Sequence, residues 1–369
     1  MSLDNINYSS KLVNNLVDTK AFIDRPLMII DGGARWNFEQ HWLQYVDQAT
    51  IIGFEPEKQE SLRLLRELSD EKHRIYPIGL DHKKGKKTFY VTQWPSGSSF
   101  YPVNAALWDR FIRGDDKRIV GTVEMETIAL DSFVEGNELG YVDYVKLDTE
   151  GSELDILKGA VMTLNQSIMA VSVEVEFIQM HNGQPFFADV DAFLRERGFH
   201  LYDLSLYRIE RKALPMLSSS VAPENADYGQ LTIGQTLYLR DAVAEIESGD
   251  NLLGDGWSTT NILKLASIMD VFCLPDCAIE LLLFARERGL LEGFDVEKLV
   301  NTMVPKIGNK TVTYGEYLEH IDAIKKRGYT DNFERSRRTA LRFMPDTARK
   351  VMGKLLVGTR DSIDRLLKG

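Results

Sequence analysis

Ten residues decide the fold prediction: Met28-Ile29-Ile30-Asp31-Gly32-Gly33-Ala34-Arg35-Trp36-Asn37. The apolar run Leu27 to Ile30 is too short for a helix, and its β-branched isoleucines suit a buried strand. The run ends at an acid and two glycines, and residues 38–46 after them are interpreted as a helix. A strand, a glycine turn and a helix start together predict a cradle for a nucleotide-like ligand. An ordinary strand-turn-helix corner would show the same pattern, because a lone glycine motif has low specificity.

Strand-like and helix-like segments alternate from this stretch to about residue 240. Short apolar or alternating runs predict further strands at residues 50–54, 73–80, 87–92, 123–130, 141–147, 168–175, 199–206 and 230–240. Helical spacing predicts helices at residues 9–19, 57–68, 152–164 and 188–197. The helix at 152 is expected to begin with a capping box of Ser152 and Asp155. This order predicts an α/β fold with a doubly wound, mostly parallel sheet whose last strand runs antiparallel.

Acidic residues stand at or near the carboxyl ends of the predicted strands. They are Asp31, Glu55, Asp148, Glu150, Glu174 and Glu176. Ligands of doubly wound sheets bind outside these strand ends, which predicts that the acids surround a shared ligand site. The alternative is that strand ends lie at the surface and that the surface of this chain is acidic.

Glu55 has a spacing that is typical of nucleotide sites. An acid about 20 residues beyond the glycine turn can accept hydrogen bonds from both ribose hydroxyls. An NAD-linked oxidoreductase is therefore one alternative. Its G-x-G-x-x-G pattern would fall here on Gly32, Ala34 and Asn37, so two of the three glycines are missing.

Composition narrows the class of protein. The chain has 369 residues, of which 44% are hydrophobic and 27% charged, as in ordinary globular proteins. The formal net charge of −11 argues against nonspecific binding of nucleic acid. No apolar run is long enough to span a membrane, and no secretory segment follows the start, so a cytoplasmic location is expected. The two cysteines, Cys273 and Cys277, are interpreted as buried thiols rather than as zinc ligands.

The last third of the chain differs in composition and consists of leucine-rich segments with helical spacing. Helices are expected at residues 261–270, 276–288, 295–304, 314–327 and 332–368. We therefore predict a domain at residues 1–245 and a helical C-terminal module at 246–369. From His320 onward the charge is net positive. Such a segment is typical of a solvated helical face, and binding of an anionic partner is the alternative.

Over roughly residues 20–240 the chain resembles the FkbM-type S-adenosylmethionine-dependent methyltransferases. The resemblance rests on the motifs Asp31-x-Gly33-Ala34, Gly53-Phe54-Glu55-Pro56, Thr127-Ile128-Ala129-Leu130-Asp131-Ser132-Phe133 and Asp143-Tyr144-Val145-Lys146-Leu147-Asp148-Thr149-Glu150-Gly151-Ser152-Glu153-Leu154-Asp155-Ile156-Leu157-Lys158-Gly159-Ala160. The last block is long and specific. The family usually has Asn and Gly where this chain has Arg35 and Asn37. Asn tolerates a left-handed backbone, whereas a bulky cation near the sulfonium of the donor would weaken binding.

The resemblance implies a Rossmann-like methyltransferase sheet, S-adenosylmethionine as the cofactor and O-methylation as the reaction. The acceptor would be a hydroxyl on a small molecule, such as a sugar, a glycan or a natural product. The residues expected to bind the cofactor are Asp31, Gly32, Gly33, Ala34, Glu55, Pro56, Gly79, Leu80 and Asp148. A homo-oligomer is possible. A methyltransferase-like binding or scaffold protein is a further alternative, with Arg35 spoiling the pocket.

A hydroxyl acceptor benefits from a base, and four residues are candidates: Asp148, Glu150, Glu174 and His181. Asp148 is the first choice, because it ends a strand beside the expected methyl position. Structural roles compete with these assignments. Glu150 would cap the next helix, Glu153 would be solvated, and a lone loop histidine is often incidental. No spacing in the sequence demands a metal.

The long segment 93–121 shows no strong period, and a loop of this length is usually functional or mobile. Trp94, Ser98, Ser99 and Phe100 are candidates for a lid over the acceptor. Alternatively, Trp94 and Phe100 anchor the loop in the core.

Overall fold

A computed structural model describes residues 3–68, 72–215, 228–250 and 252–326. The chain forms two compact units, Met1–Met303 and Val304–Gly369. The predicted division at 245/246 falls inside the first unit and stays a prediction. The expected helix at 332–368 and most of the positively charged segment lie outside the described residues.

The described residues contain ten β-strands. In chain order they are β1 (Leu27–Gly32), β2 (Ala49–Phe54), β3 (His73–Tyr76), β4 (Gly79–Leu80), β5 (Gly85–Thr92), β6 (Ile119–Ile128), β7 (Tyr144–Leu147), β8 (Ala170–Glu176), β9 (Phe199–Ile209) and β10 (Gln230–Arg240). Each predicted strand is therefore confirmed, and the predicted strand at 73–80 is divided into β3 and β4.

The same residues contain twelve α-helices and three short 3₁₀ helices. The α-helices are α1 (Lys11–Asp18), α2 (Lys58–Glu67), α3 (Ala105–Trp108), α4 (Leu130–Gly136), α5 (Glu153–Lys158), α6 (Val161–Gln166), α7 (Phe187–Arg195), α8 (Ala242–Ser248), α9 (Thr259–Val271), α10 (Pro275–Glu287), α11 (Val296–Met303) and α12 (Tyr314–Lys326). The 3₁₀ helices are Gln40–Tyr45, Pro95–Gly97 and Gly114–Lys117. The helices α3, α4 and α8 were not expected from the sequence.

Seven strands form the main sheet in the order β3-β2-β1-β7-β8-β10-β9. The neighbours β3, β2, β1, β7 and β8 are parallel, and β10 pairs antiparallel with both β8 and β9. This confirms the predicted α/β class, the doubly wound sheet and the antiparallel last strand. The strand order reverses between β1 and β7, so their carboxyl ends flank the crevice where such sheets bind ligands. A second sheet has the order β4-β6-β5.

The core lies on both faces of the parallel strands. Apolar side chains of β1, β7 and β8, such as Ile30, Val145 and Val173, are fully buried with those of the covering helices. Buried on both sides, these strands have near-continuous apolar sequences. Lys146 and Glu174 interrupt that apolar pattern, and both lie near the carboxyl ends of their strands.

Two predicted helices differ from the structure. The segment 38–46 contains only the short 3₁₀ helix, and Trp36 before it has a left-handed backbone (φ 76°). The predicted helix at 152–164 is divided into α5 and α6 at Gly159. A side chain at Gly159 would lie 2.3 Å from the carbonyl oxygen of Asp81, so glycine is needed for this close approach.

The cysteine interpretation needs one correction. Both thiols are free, but Cys273 is exposed and Cys277 is half-buried, because they flank the exposed start of α10. Within the described residues, no helix is both long and apolar enough to cross a bilayer.

Candidate active site

An open cavity lies at the carboxyl ends of β1, β2 and β7. Its lining residues are Gly32, Gly33, Arg35, Phe54, Glu55, Pro56, Gly79, Leu80, Phe89, Pro95, Ser96, Ser98, Phe100, Asp148, Thr149, Glu150 and Ser152. Seven of the nine expected cofactor-binding residues are among them. The other two, Asp31 and Ala34, are buried and do not belong to the lining.

The glycine turn joins three strand ends. Gly33 has a φ of 86°, and a Cβ at this position would lie 2.0 Å from the carbonyl oxygen of Asp148. The N–H groups of Gly33 and Ala34 both donate to the carbonyl oxygen of Phe54, at 3.1 Å. Only glycine allows β1 and β7 to approach this closely. The predicted helix start is absent here, so the cradle consists of the turn and the strand ends alone.

A buried cation lies beneath the turn. Lys146 Nζ is 3.1 Å from Asp31 Oδ1 and 3.8 Å from Asp148 Oδ2. Burial by itself lowers the pKa of Lys146, but the two carboxylates outweigh burial and raise the pKa above its ordinary value. Burial also raises the pKa of Asp31, against the effect of Lys146. Asp31 therefore holds Lys146 under the cavity floor. The sequence indication that was missed is a lysine in the otherwise apolar strand β7.

Glu55 lines the cavity from the end of β2. The residue is buried, and its Oε1 accepts the N–H of Glu57 at 2.8 Å. Burial raises the pKa of Glu55 to about 7, although the Glu57 N–H and Arg35 lower it. A carboxylate with such a pKa is typical of a ligand-binding cleft.

The turn after β7 presents Asp148 and Glu150 to the cavity. It contains two left-handed residues, Glu150 (φ 58°) and Gly151 (φ 106°). Glu153 stabilises this shape, because its carboxylate accepts from Thr149 N at 2.6 Å, from Thr149 Oγ1 at 2.8 Å and from Gly151 N at 3.0 Å. The expectation that Glu153 is solvated was wrong. The expected capping box is also absent, since the Ser152 side chain makes no capping hydrogen bond.

One alternative predicted that Glu150 caps the next helix, but the Glu150 side chain has a different partner. Its Oε2 lies 2.8 Å from Lys117 Nζ, which comes from the 93–121 segment. Burial raises the pKa of Glu150, and Lys117 opposes this rise. No local sequence pattern indicates Lys117, because its pairing with Glu150 spans 33 residues.

Glu174 and His181 lie behind the cavity and not in its lining. Glu174 and Glu176 are buried on β8, and burial followed by the neighbouring acids raises the pKa of both well above the ordinary value. Burial lowers the pKa of His181 to about 3, so its imidazole is neutral at physiological pH. The structure thus brings Asp148 and Glu150, but not Glu174 or His181, to the cavity surface.

The segment 93–121 covers one side of the cavity. Ser98 and Phe100 line it, and Ser99 Oγ donates to the carbonyl oxygen of Glu150 at 2.7 Å. Phe100 packs edge-on against Phe89 at 5.1 Å, so it both anchors the segment and borders the cavity. Trp94 is half exposed and lies outside the lining.

One group in the described part of the chain has metal-ligand geometry: Asp81, His82 and Asp155. Lys87 Nζ lies 3.2 Å from Asp81 Oδ1 and 3.0 Å from Asp155 Oδ2. An ammonium between these carboxylates makes the group an ion-pair network, and none of its members lines the cavity.

The sequence of this chain is similar to one family of known proteins. Residues 30–201 match the family model described as Methyltransferase FkbM domain. The 2-O-methyltransferase NoeI of Sinorhizobium fredii is 23% identical over 154 residues, which cover 39% of this chain and 61% of that enzyme. The chain thus matches less than two thirds of the length of this curated relative.

Two solved structures are also similar. The methyltransferase FkbM of Methylobacillus flagellatus has 11% identity and a TM-score of 0.32, covering 57% of this chain and 43% of that one. The magnesium protoporphyrin IX methyltransferase of Synechocystis was solved with bound S-adenosylmethionine. It has 8% identity and a TM-score of 0.29, and the match covers 62% of this chain and 78% of that one.

Proposed function

This chain carries a methyltransferase domain of the FkbM family over residues 30–201, and we propose that it is an O-methyltransferase that uses S-adenosylmethionine. The proposed acceptor is a hydroxyl group of a sugar or a related small molecule. The observation that carries the proposal is one cavity that Glu55 and Asp148 line together, on either side of the turn at Gly33.

The lining fits the methyl donor. Three acids, Glu55, Asp148 and Glu150, border the cavity, and negative charge suits the positively charged sulfonium. Gly33 borders the cavity without a side chain and lets β1 and β7 approach each other closely. Glu55 is positioned to accept hydrogen bonds from ribose hydroxyls, while Pro56, Gly79 and Leu80 provide apolar surface for the base. When bound, the donor supplies an electrophilic methyl group.

The proposed roles of the chain's own residues are to orient the acceptor and to hold its proton. Asp148 is the proposed base, because it lines the cavity and the nearby Lys146 keeps it deprotonated, so that it can accept a proton. Glu150, held by Lys117, is the second candidate. Glu174 and His181 are proposed as buried supports of this acidic turn.

Two observations support the proposed acceptor class. The curated relative is named a 2-O-methyltransferase, which is consistent with a hydroxyl acceptor. The net charge of −11 and the acidic cavity disfavour a nucleic acid. We further propose a cytoplasmic location, in keeping with two free thiols, and leave the homo-oligomer as a possibility that gel filtration tests.

Calorimetry tests the donor first. We expect S-adenosylmethionine and S-adenosylhomocysteine to bind with micromolar affinity, and NAD⁺ not to bind. Radioactive methyl transfer from the donor to methyl glycosides of fucose, rhamnose and galactose then tests the acceptor. Absence of heat at millimolar donor would overturn the proposal in favour of a scaffold, and binding of NAD⁺ would favour an oxidoreductase.

A further inference from the structure

The cavity lining has an unequal charge balance. In the described part of the chain, the lining contains three acids, Glu55, Asp148 and Glu150, and a single cation, Arg35. An acidic cavity attracts cationic groups and repels anions. Arg35 is therefore the place in the lining where an anionic group of a ligand can be stabilised.

Arg35 has hydrogen-bonding capacity that the protein does not use. Its Nη2 is 3.8 Å from Glu57 Oε2, too far for a hydrogen bond. That carboxylate already accepts the N–H groups of Gln59 and Glu60 at the start of α2, both at 3.0 Å. Arg35 Nε is buried, and no described residue accepts its proton. A buried donor without a partner in the protein needs an acceptor from outside the chain, such as water or a ligand.

The other cations near the cavity differ from Arg35 in this respect. Lys146 is paired with Asp31 at 3.1 Å, and Lys117 is paired with Glu150 at 2.8 Å. Both ammonium groups thus neutralise acids of the protein at close range. The guanidinium of Arg35 is the group that remains available to a ligand.

We propose that Arg35 binds the α-carboxylate of the methyl donor, an inference that rests on the proposed function. The donor carries a sulfonium, an ammonium and a carboxylate. The acids of the lining match the first two, and only Arg35 matches the third. A planar guanidinium suits a carboxylate, because it can donate two parallel hydrogen bonds. Arg35 therefore strengthens donor binding, contrary to the expectation that it weakens binding.

The same chemistry has a second source, since an acidic sugar acceptor such as a glucuronide also carries a carboxylate. The experiment therefore compares two donors with and without the arginine. Calorimetry measures the dissociation constants of S-adenosylmethionine and decarboxylated S-adenosylmethionine for the wild-type protein, Arg35→Gln and Arg35→Lys. Arg195→Gln is the matched control, because Arg195 lies on α7, is half exposed and pairs with Asp191.

We expect Arg35→Gln to weaken binding of S-adenosylmethionine by about ten- to a hundredfold, the range for hydrogen bonds to charged groups. Decarboxylated donor should not lose affinity. The ratio of its dissociation constant to that of S-adenosylmethionine should fall at least tenfold in Arg35→Gln. Arg35→Lys should show an intermediate ratio, and Arg195→Gln the wild-type ratio. The ratio compares two donors on the same variant, so a general loss of stability affects both dissociation constants and cancels in the ratio.

Two results would overturn the inference, and a third would refute the proposed function. An unchanged ratio in Arg35→Gln would show that the arginine does not contact the donor carboxylate. Unchanged donor binding together with weaker binding of p-nitrophenyl glucuronide would assign Arg35 to an acidic acceptor. A wild-type protein that binds neither donor would instead refute the proposed function itself, so the two failures are distinguishable.

Discussion

Glu55 is buried and also lines the cavity, and this has a consequence for stability. Its pKa rises from the ordinary 4.5 to about 7 in the folded protein, mainly through burial. Because the folded value exceeds the unfolded one, ionising Glu55 costs the folded state free energy. The cost is absent below pH 4.5 and complete above pH 7. Glu55 thus lowers stability in exchange for a carboxylate at the cavity.

Glu55→Gln should therefore stabilise the free protein as the pH rises. The amide oxygen can still accept the N–H of Glu57, so the local structure is kept. We expect a gain of about 3 kcal/mol above pH 7 and none near pH 4.5. Urea unfolding of both proteins at a series of pH values measures this difference. Glu247→Gln is the exposed control, and a difference that does not vary with pH would contradict the argument. Donor affinity should fall in the same variant.

Asp148 is the residue on which the proposed proton transfer depends. Asp148→Asn should leave the fold intact, because Lys146 keeps its closer partner Asp31 at 3.1 Å. Loss of a general base typically slows a reaction by about 10²–10⁴-fold. Methyl transfer to an accepted glycoside should fall by that range, whereas the affinity for S-adenosylhomocysteine, which lacks the sulfonium charge, should change much less. Asp250→Asn, on the exposed surface, serves as the control. A fully active Asp148→Asn variant would transfer the role to Glu150.

At the scale of elements, the turn between β7 and α5 is the most constrained part of the site. Glu153 accepts three hydrogen bonds that fix Thr149 and Gly151. Glu153→Ala leaves these donors buried without partners, and we expect a loss of about 2–4 kcal/mol of stability. Donor binding should weaken more than in an equally destabilised variant of a distant element. The exposed Glu135→Ala, on α4, controls for loss of an acid. Unchanged unfolding would show that the turn holds its shape without Glu153.

The elements also show what the sequence can predict. Apolar runs identified the strands, because a strand buried on both faces must be apolar along its length. The strand-end rule then placed Glu55 and Asp148 at one cavity. The α-helix predicted after the glycine turn does not form, and the contacts of this segment are nonlocal. Glu60 on α2 accepts the N–H of Trp36, and Arg63 on α2 donates to the carbonyl oxygen of Trp36. Such partners are distant in sequence, as are Lys117 and Glu150, and no local pattern indicates them.

At the scale of the molecule, α9 is joined to the sheet within the first unit. Lys264 on α9 is fully buried and donates to Asp143 Oδ2 at 2.6 Å and to the carbonyl oxygen of Pro26 at 2.9 Å. Asp143 in turn accepts the N–H of Met28 at the start of β1. Ser267, one turn further along α9, bonds the hydroxyl of Tyr45 at 2.8 Å. The helix after the predicted division at 245 thus shares buried polar contacts with the strand that carries the glycine turn.

Lys264→Met tests whether this unit unfolds as a whole. Removing the ammonium leaves Asp143 charged in the core, and breaking a buried ion pair typically costs about 3–5 kcal/mol. Lys264→Met/Asp143→Asn should recover much of the loss, because the amide can still accept the N–H of Met28 without a buried charge. Urea unfolding followed by circular dichroism and by tryptophan fluorescence should give coincident transitions in each variant, since Trp42 contacts both Tyr144 of β7 and Phe272 at the end of α9. Separate transitions, with the helices lost first, would instead favour a domain boundary near residue 245. Coincident ones would mean that the site's first strand depends on a helix more than 200 residues away in the chain.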